Sequence, residues 1–133
     1  MSVFVTDTHP FVWFASGKPG NLSKAAFKAF TEAESGNAFI HIPAMVLYEI
    51  AILEKHRKIA LEGGFRRWTE NVLKNDGFGV ADLELEIINS AVGYSFNEDP
   101  FDNVIVATAA EMSLPLITKD SAITDSGLVE ICW

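Results

Sequence analysis

The sequence is organised around residues 97–110, NEDPFDNVIVATAA. Asp99 is a good N-cap residue and Pro100 suits the first helical position, so this stretch predicts the start of a helix that runs to Met112. Apolar side chains recur at helical spacing, and Asp102 falls on the face that they form. Taken alone, Asp102 could be an ordinary acidic residue that caps the helix or complements its dipole. If that face is buried, however, its carboxylate needs a cation, a metal ion or hydrogen bonds.

The length and composition predict a single domain over residues 1–133. Apolar residues make up 49% of the chain and charged residues 21%, which is typical of a globular protein with a substantial core. The only cysteine, Cys132, excludes an internal disulfide framework and favours a reducing compartment. No signal peptide precedes the first strand pattern, and no apolar run approaches the roughly 18 residues of a membrane span. We therefore expect a soluble cytoplasmic protein with no membrane partner.

The charges are unevenly distributed along the chain. The net charge of −8 argues against broad nonspecific attraction to nucleic acid, because phosphate binding depends on Lys and Arg. Six of the ten basic residues nevertheless lie between positions 55 and 74, whereas residues 76–130 contain eleven acidic residues and one lysine. Ordinary solvated surfaces explain both regions as they stand, so the basic segment by itself indicates no function.

Short β-branched runs alternate with helical patterns. The predicted strands are residues 2–6, 38–42, 78–81, 114–118 and 128–132. The better defined helical patterns cover residues 24–34, 43–55, 83–94 and 100–112. In the third of these, Leu85, Ile88, Ala91 and Val92 are predicted to point inward. The alternation predicts an α/β fold with a mainly parallel sheet that is covered by helices on both faces.

Four acidic residues occupy positions that this fold would bring together. Asp7 and Asp120 follow predicted strands, and sites in parallel sheets form outside the carboxyl ends of strands. Glu49 and Asp102 lie within the apolar stripes of predicted helices. Carboxylates that share a small volume need protons or cations, and oxygen ligands suit Mg²⁺ or Mn²⁺. If the topology is right, the sequence predicts metal-dependent hydrolysis of phosphodiesters.

Other chemistries lack their sequence signatures. The chain contains no glycine-rich nucleotide-binding loop and no serine nucleophile elbow. Its three histidines, His9, His41 and His56, are not spaced as zinc ligands. A small α/β phosphatase with Asp7 as the nucleophile stays open as an alternative, although residue 9 is histidine rather than a second aspartate.

Five motifs occur in order along the chain: VTDTH (5–9), LYEIA (47–51), DPFD (99–102), VATA (106–109) and LPLITKD (114–120). Together they resemble a PIN-domain ribonuclease of the VapC toxin type, and the resemblance covers essentially the whole chain. It implies a three-layer α/β/α PIN-like domain with a mainly parallel central sheet. It also implies a Mg²⁺- or Mn²⁺-dependent endoribonuclease that acts as the toxin of a toxin–antitoxin pair, with a cognate antitoxin that wraps the toxin and blocks its acidic pocket.

The same resemblance assigns roles to individual residues. The four acids Asp7, Glu49, Asp102 and Asp120 match the catalytic, metal-binding acids of the family. Thr118 matches a supporting hydroxyl, whereas Asp99 is assigned to helix capping. One departure concerns the residue after Asp102, where the family commonly has an arginine and this chain has Asn103. The family also commonly has a histidine near residues 97–98, where this chain has Asn and Glu.

Under this interpretation the basic segment becomes a candidate RNA track. Its proposed substrate contacts are Arg57, Lys58, Arg66 and Arg67. The aromatic residues Trp13, Phe14, Phe65 and Trp68 could contact a partner, but helical spacing of large aromatics is more typical of a core. A homodimer stays open as a further assembly. The alternative class of function is a noncatalytic PIN-like module that binds RNA or a protein.

Overall fold

The computed structural model describes residues 1–133 and contains one five-stranded sheet. The strands are β1 (Ser2–Thr6), β2 (Ala38–Pro43), β3 (Phe78–Ala81), β4 (Leu116–Ile117) and β5 (Ile131–Cys132). The helices are α1 (Thr8–Ala15), α2 (Lys24–Glu34), α3 (Ala44–Lys55), α4 (Gly64–Leu73), α5 (Leu85–Val92), α6 (Pro100–Met112) and α7 (Ser121–Ser126). The strand order is β3-β2-β1-β4-β5, and every neighbouring pair is parallel. The prediction of an α/β fold with a parallel central sheet is confirmed.

β1 is the central strand and sets the position of the site. Val5 lies opposite His41 in β2 and Leu116 in β4. Since parallel strands end at the same edge of a sheet, the residues after β1 and after β4 emerge side by side. The backbone N–H of Asp7 accordingly donates to the carbonyl of Ile117, at 2.9 Å.

α6 forms as its sequence predicts. The Asp99 carboxylate accepts a hydrogen bond from the backbone N–H of Phe101 at 2.9 Å, which caps the helix, and Pro100 occupies its first turn. Residues 105–109 are buried, so one face of the helix lies in the core. The helix ends at Ser113 in the left-handed region, φ 54°, shortly before Pro115. α6 packs against β1, α3 and α5, so its first turn is held rigidly relative to the sheet.

α2 supplies a large part of the apolar core. Its bounds agree with the predicted residues 24–34, and Ser23 caps it by accepting from the N–H of Ala26. Phe30 is fully buried and stacks on Phe14, with ring centroids 4.9 Å apart. Trp68 is also buried, so the core interpretation is correct for that residue. The other three aromatics of the set, Trp13, Phe14 and Phe65, are half-buried at the border of the core.

The prediction for the inward face of α5 is correct for Ala91 and wrong for the other three residues. Leu85, Ile88 and Val92 are exposed, with Val92 at 79%, while Ile87 and Ala91 pack against Ala107 of α6. The apolar side chains of this eight-residue helix form one broad face opposite Glu86, Asn89 and Ser90, so periodicity alone could not select which part of that face is buried. Contact with α6 buries the part that Ile87 and Ala91 form.

The C-terminal elements are shorter and more numerous than predicted. β4 and β5 have two residues each instead of five, because backbone pairing continues only where the strands stay adjacent. α7, between them, was not predicted, since only Ile123 of its six residues is buried and no periodicity is visible. The longest helix is α6, with 13 residues, and no helix has the length and apolarity needed to cross a membrane.

Candidate active site

Asp7 lies where β1 turns into α1. Its Oδ1 accepts a hydrogen bond from the backbone N–H of Thr8 at 2.7 Å, so the carboxylate is the N-cap of α1. Its Oδ2 accepts from the Thr118 hydroxyl at 2.7 Å. Burial raises the pKa of Asp7, and these two hydrogen bonds oppose the shift. The side chain is therefore held at a fixed orientation in a place that disfavours its charge.

Asp120 and Thr118 extend the same edge from β4. Thr118 is fully buried, and its hydroxyl oxygen accepts from the backbone N–H of Asp120 at 3.1 Å while it donates to Asp7. The Asp120 Oδ1 accepts from the N–H of Ile123 at 2.9 Å and so caps α7. One hydroxyl group thus joins the two strand-end acids.

Glu49 reaches the edge from α3. It lies between the buried residues Val46 and Ile50, and its Oε1 accepts a hydrogen bond from the Thr8 hydroxyl. Burial raises the pKa of Glu49; the bond from Thr8 lowers it, and the nearby charge of Asp7 raises it again. Because Thr8 directly follows Asp7, this contact connects α3 to the start of α1.

Asp102 lies in the first turn of α6, as the sequence indicates. Its Oδ2 accepts a hydrogen bond from the Asn97 side-chain amide at 2.7 Å. Burial raises the pKa of Asp102 to about 7, and the charges of Asp99, Asp7, Asp120 and Glu49 contribute in the same direction. The charges of all three other predicted acids, and of Asp99, therefore affect the pKa of Asp102.

The four acids Asp7, Glu49, Asp102 and Asp120 are called the acidic edge below. No lysine or arginine forms an ion pair with any of them, because the only ion pairs in the structure are Lys28 with Glu32 and Arg66 with Glu70. His9 lies close enough to lower the pKa of Asp7 and Glu49 against the effect of burial. When the acids of the acidic edge are ionised, no ion pair within the protein compensates their charge.

The chemistry of these donors fits a hard divalent cation. All four side chains offer carboxylate oxygens, and neither cysteine nor histidine is among them, which suits Mg²⁺ or Mn²⁺ better than Zn²⁺. The structure contains no group of three acidic, histidine or cysteine side chains already spaced to ligate one ion. The donor set, with no basic partner in an ion pair, thus fits a hard divalent cation in its chemistry.

Two polar contacts of the acidic edge were not predicted from the sequence. Thr8 holds Glu49, and Asn97 holds Asp102. Both donors are close in sequence to an acid, at one residue from Asp7 and five residues from Asp102. That proximity was the only sign in the sequence that these residues could belong to the site. Which acid each donor binds depends on packing between helices and strands. Asp99 caps α6 as predicted, and its charge additionally acts on Asp102.

The predicted RNA-track residues lie on two separate segments of the chain. All four are exposed; Arg57 and Lys58 follow α3, whereas Arg66 and Arg67 lie at the start of α4. Lys58 lines a cavity of about 650 Å³ together with His9 and Trp13, and none of the four acids lines that cavity. Arg67 lines a different cavity, beside Phe14 and Trp68, and Arg66 pairs with Glu70 at 3.5 Å.

The sequence model of the PIN domain family matches residues 4–126. This range includes most of β1, all of β2, β3 and β4, and all four residues of the acidic edge. The chain belongs to the PIN domain family. It is also similar to Ribonuclease VapC22 of Mycobacterium tuberculosis (strain ATCC 25618 / H37Rv), with 28% identity over 120 residues that cover 90% of this chain and 88% of the relative.

Solved structures show the same fold at low sequence identity. A crystal structure of VapBC2 from Rickettsia felis bound to a DNA fragment from their promoter matches with a TM-score of 0.67 and 14% identity, covering 97% of this chain and 96% of that one. A toxin–antitoxin complex from Klebsiella pneumoniae matches with a TM-score of 0.64 and 18% identity, covering 95% and 94%. The prediction of a PIN-like fold over nearly the whole chain is confirmed.

Proposed function

We propose that this protein is a metal-dependent endoribonuclease whose acidic edge binds the metal ion and performs catalysis. The observation that carries the proposal is the convergence of four carboxylates without a basic partner, with a raised pKa at Asp7, Glu49 and Asp102. Protein stability gains nothing from such an arrangement, since repulsion and burial both oppose it. Clustered groups with perturbed pKa values are typical of functional sites.

Mg²⁺ or Mn²⁺ is the cofactor that these oxygen donors suit. Asp7, Glu49, Asp102 and Asp120 would hold it, with Thr118 keeping Asp7 and Asp120 in fixed relative positions. The bound ion would supply an activated water and neutralise charge on the phosphate during an in-line attack. The protein contributes orientation: Asp7 and Asp120 are tied to helix caps, and Glu49 and Asp102 to packed helices.

RNA is the substrate that the family and its named relative support. Ribonuclease VapC22 is by its name a ribonuclease, and it matches this chain over 120 residues, 90% of its length. Arg57, Lys58, Arg66 and Arg67 are proposed backbone contacts for the RNA. Lys58 is the best placed of them, because it shares a cavity with His9 beside Asp7.

The protein is further proposed to be the toxin of a toxin–antitoxin pair. Two structures that share its fold are a VapBC2 complex and a toxin–antitoxin complex. A cognate antitoxin that covers the acidic edge would keep the nuclease inactive in the cytoplasm, where its RNA substrate is. A homodimer is compatible with this assignment.

The experiment is cleavage of total RNA by the purified, antitoxin-free protein. We expect discrete fragments with Mg²⁺ or Mn²⁺, none with EDTA, and none with Asp7→Asn. That substitution keeps an oxygen that can cap α1, so the fold is retained. Asp125→Asn, an exposed aspartate in α7 outside the acidic edge, serves as the matched control and should cleave normally.

Three results would contradict the proposal. Cleavage that persists in EDTA or in Asp7→Asn would come from a contaminant or from another site. A folded wild-type protein that binds Mn²⁺ but cuts no RNA would favour the noncatalytic PIN-like module. Hydrolysis of small phosphomonoesters without RNA cleavage would instead indicate a phosphatase.

A further inference from the structure

The Asn97 side chain uses both ends of its amide next to Asp102. Its Nδ2 donates to Asp102 Oδ2 at 2.7 Å, and its Oδ1 accepts from the backbone N–H of Asp99 at 2.9 Å. The second bond fixes which way the amide faces. The donor is therefore aimed at Asp102 by the same loop that caps α6.

Asn103 holds this loop from the other side. Its Nδ2 donates to the backbone carbonyl of Asn97 at 3.0 Å, and its own N–H donates to the carbonyl of Asp99 at 3.1 Å. Asn97 is thus fixed through its backbone as well as its side chain. Two asparagines, one on each side of Asp99 and Asp102 in the sequence, close a network around the first turn of α6.

The acidic edge is held throughout by uncharged donors. The Thr118 hydroxyl binds Asp7, the Thr8 hydroxyl binds Glu49, and the Asn97 amide binds Asp102. A lysine or arginine in the place of Asn97 would orient Asp102 equally well, but its charge would oppose a cation at the same carboxylate. A neutral donor fixes the orientation and leaves the negative charge in place.

The two oxygens of Asp102 differ in their contacts. Oδ2 is bound by Asn97, whereas no donor within the protein binds Oδ1. We propose that Asn97 is a positioning residue, which uses a neutral hydrogen bond to hold Asp102 so that its Oδ1 is available to the metal ion. This inference rests on the proposed metal-dependent function. Outer partners of metal ligands have this role in other metal sites.

The test compares two substitutions of Asn97. Asn97→Ser retains an oxygen near the backbone that can accept from the N–H of Asp99, but it is too short to bind Asp102 as well. Asn97→Ala loses both bonds. Asn89→Ala is the control, because Asn89 is an exposed asparagine of α5 without a side-chain hydrogen bond. Mn²⁺ affinity is measured by calorimetry on EDTA-treated, dialysed protein, together with the metal-free melting temperature and kcat and KM for RNA.

We expect both Asn97 variants to bind Mn²⁺ on the order of tenfold more weakly than wild type. The kcat measured at a fixed, subsaturating Mn²⁺ concentration should fall in both variants, with little change in KM for RNA, because Asn97 is assigned no RNA contact. The metal-free melting temperature of Asn97→Ser should stay close to that of wild type. A merely structural role would instead lower that temperature without a specific loss of metal affinity.

The inference is overturned if Asn97→Ser binds Mn²⁺ as tightly as wild type. It is also overturned if Asn89→Ala loses as much affinity as the Asn97 variants. Failure of the proposed function looks different, since the wild-type protein itself would then bind no Mn²⁺ or cut no RNA.

Discussion

The acidic edge and the core around α2 differ in how their residues relate to stability. In the core, Phe30 is fully buried and stacks on Phe14, so its side chain contributes to the stability of the fold. At the acidic edge, burial and the charges of nearby carboxylates raise the pKa of Asp102 to about 7. The core stabilises the fold, whereas the acidic edge destabilises it in the absence of a bound cation. Substitutions in the two regions should therefore affect stability in opposite directions.

The largest expected effect comes from Asp102→Asn. RNA cleavage should fall on the order of 100-fold or more, because a carboxylate that is proposed to bind the metal ion is lost. The metal-free melting temperature at neutral to alkaline pH should rise, because the same substitution removes repulsion and a buried charge. Both are measured on one preparation, by fragment analysis and by thermal unfolding in EDTA. A lower melting temperature would show that Asp102 stabilises the fold, and the contrast with the core would fail.

Phe30→Ala should give the opposite result. It is expected to destabilise the protein by about 3–5 kcal/mol, since it leaves a cavity in a packed core. Phe27→Ala in the same helix is the control, because Phe27 is 38% exposed and should cost much less. Chemical denaturation provides both values. Mn²⁺ affinity of the folded Phe30→Ala protein should equal that of wild type, and a large loss would mean that the two regions are coupled.

A smaller effect is expected in the pH dependence of stability, which should fall as the pH rises in the metal-free protein. Between the ordinary carboxyl range and about pH 7, folded Asp102 keeps a proton that the unfolded chain has lost, so stability falls as the pH rises. Raised pKa values at Asp7 and Glu49 act in the same direction. Unfolding in EDTA at about pH 5 and about pH 8 measures the change.

Two additions sharpen this experiment. Asp102→Asn should flatten the fall in stability, because its side chain does not titrate. Mn²⁺ should stabilise the protein more at the higher pH, where the acids are ionised. Equal stability at the two pH values in EDTA would contradict the expected repulsion within the acidic edge.

The smallest effect is expected for the exposed basic residues. Reversal of Arg57, Lys58, Arg66 and Arg67 to glutamate should weaken RNA binding by about tenfold and reduce its dependence on salt, because phosphate contacts are lost. Mn²⁺ affinity should not change. A smaller variant, Arg57→Glu with Lys58→Glu, has a charge-matched control. The control is Lys24→Glu with Lys28→Glu, which changes the charge by the same amount at two exposed basic residues of α2. RNA affinity unaffected by the four reversals would remove the proposed track.

Elements with strong local signals were predicted well from the sequence. α2 has a serine cap and a clear apolar stripe, and α6 has an aspartate cap followed by proline, so both helices were located. α7 is short and nearly all exposed, and the buried face of α5 depends on its contact with α6. Local patterns carry no information about such contacts, which explains these errors.

The acids of the candidate site were singled out by a different kind of signal. Asp7 and Asp120 end strands, and Glu49 and Asp102 interrupt apolar stripes, so each is out of place in its own segment. Their supporting donors Thr8 and Asn97 are not unusual in their segments, and only the folded arrangement reveals which acid each one binds.

The bond between Thr118 and Asp7 joins residues 111 positions apart. Since the acidic edge also needs Asp120, it cannot assemble on the ribosome until most of the polypeptide has been synthesised and released from the exit tunnel. A nascent chain that stops before residue 118 lacks half of the strand-end pair. For a protein proposed to cut RNA, this chain topology postpones activity until late in translation.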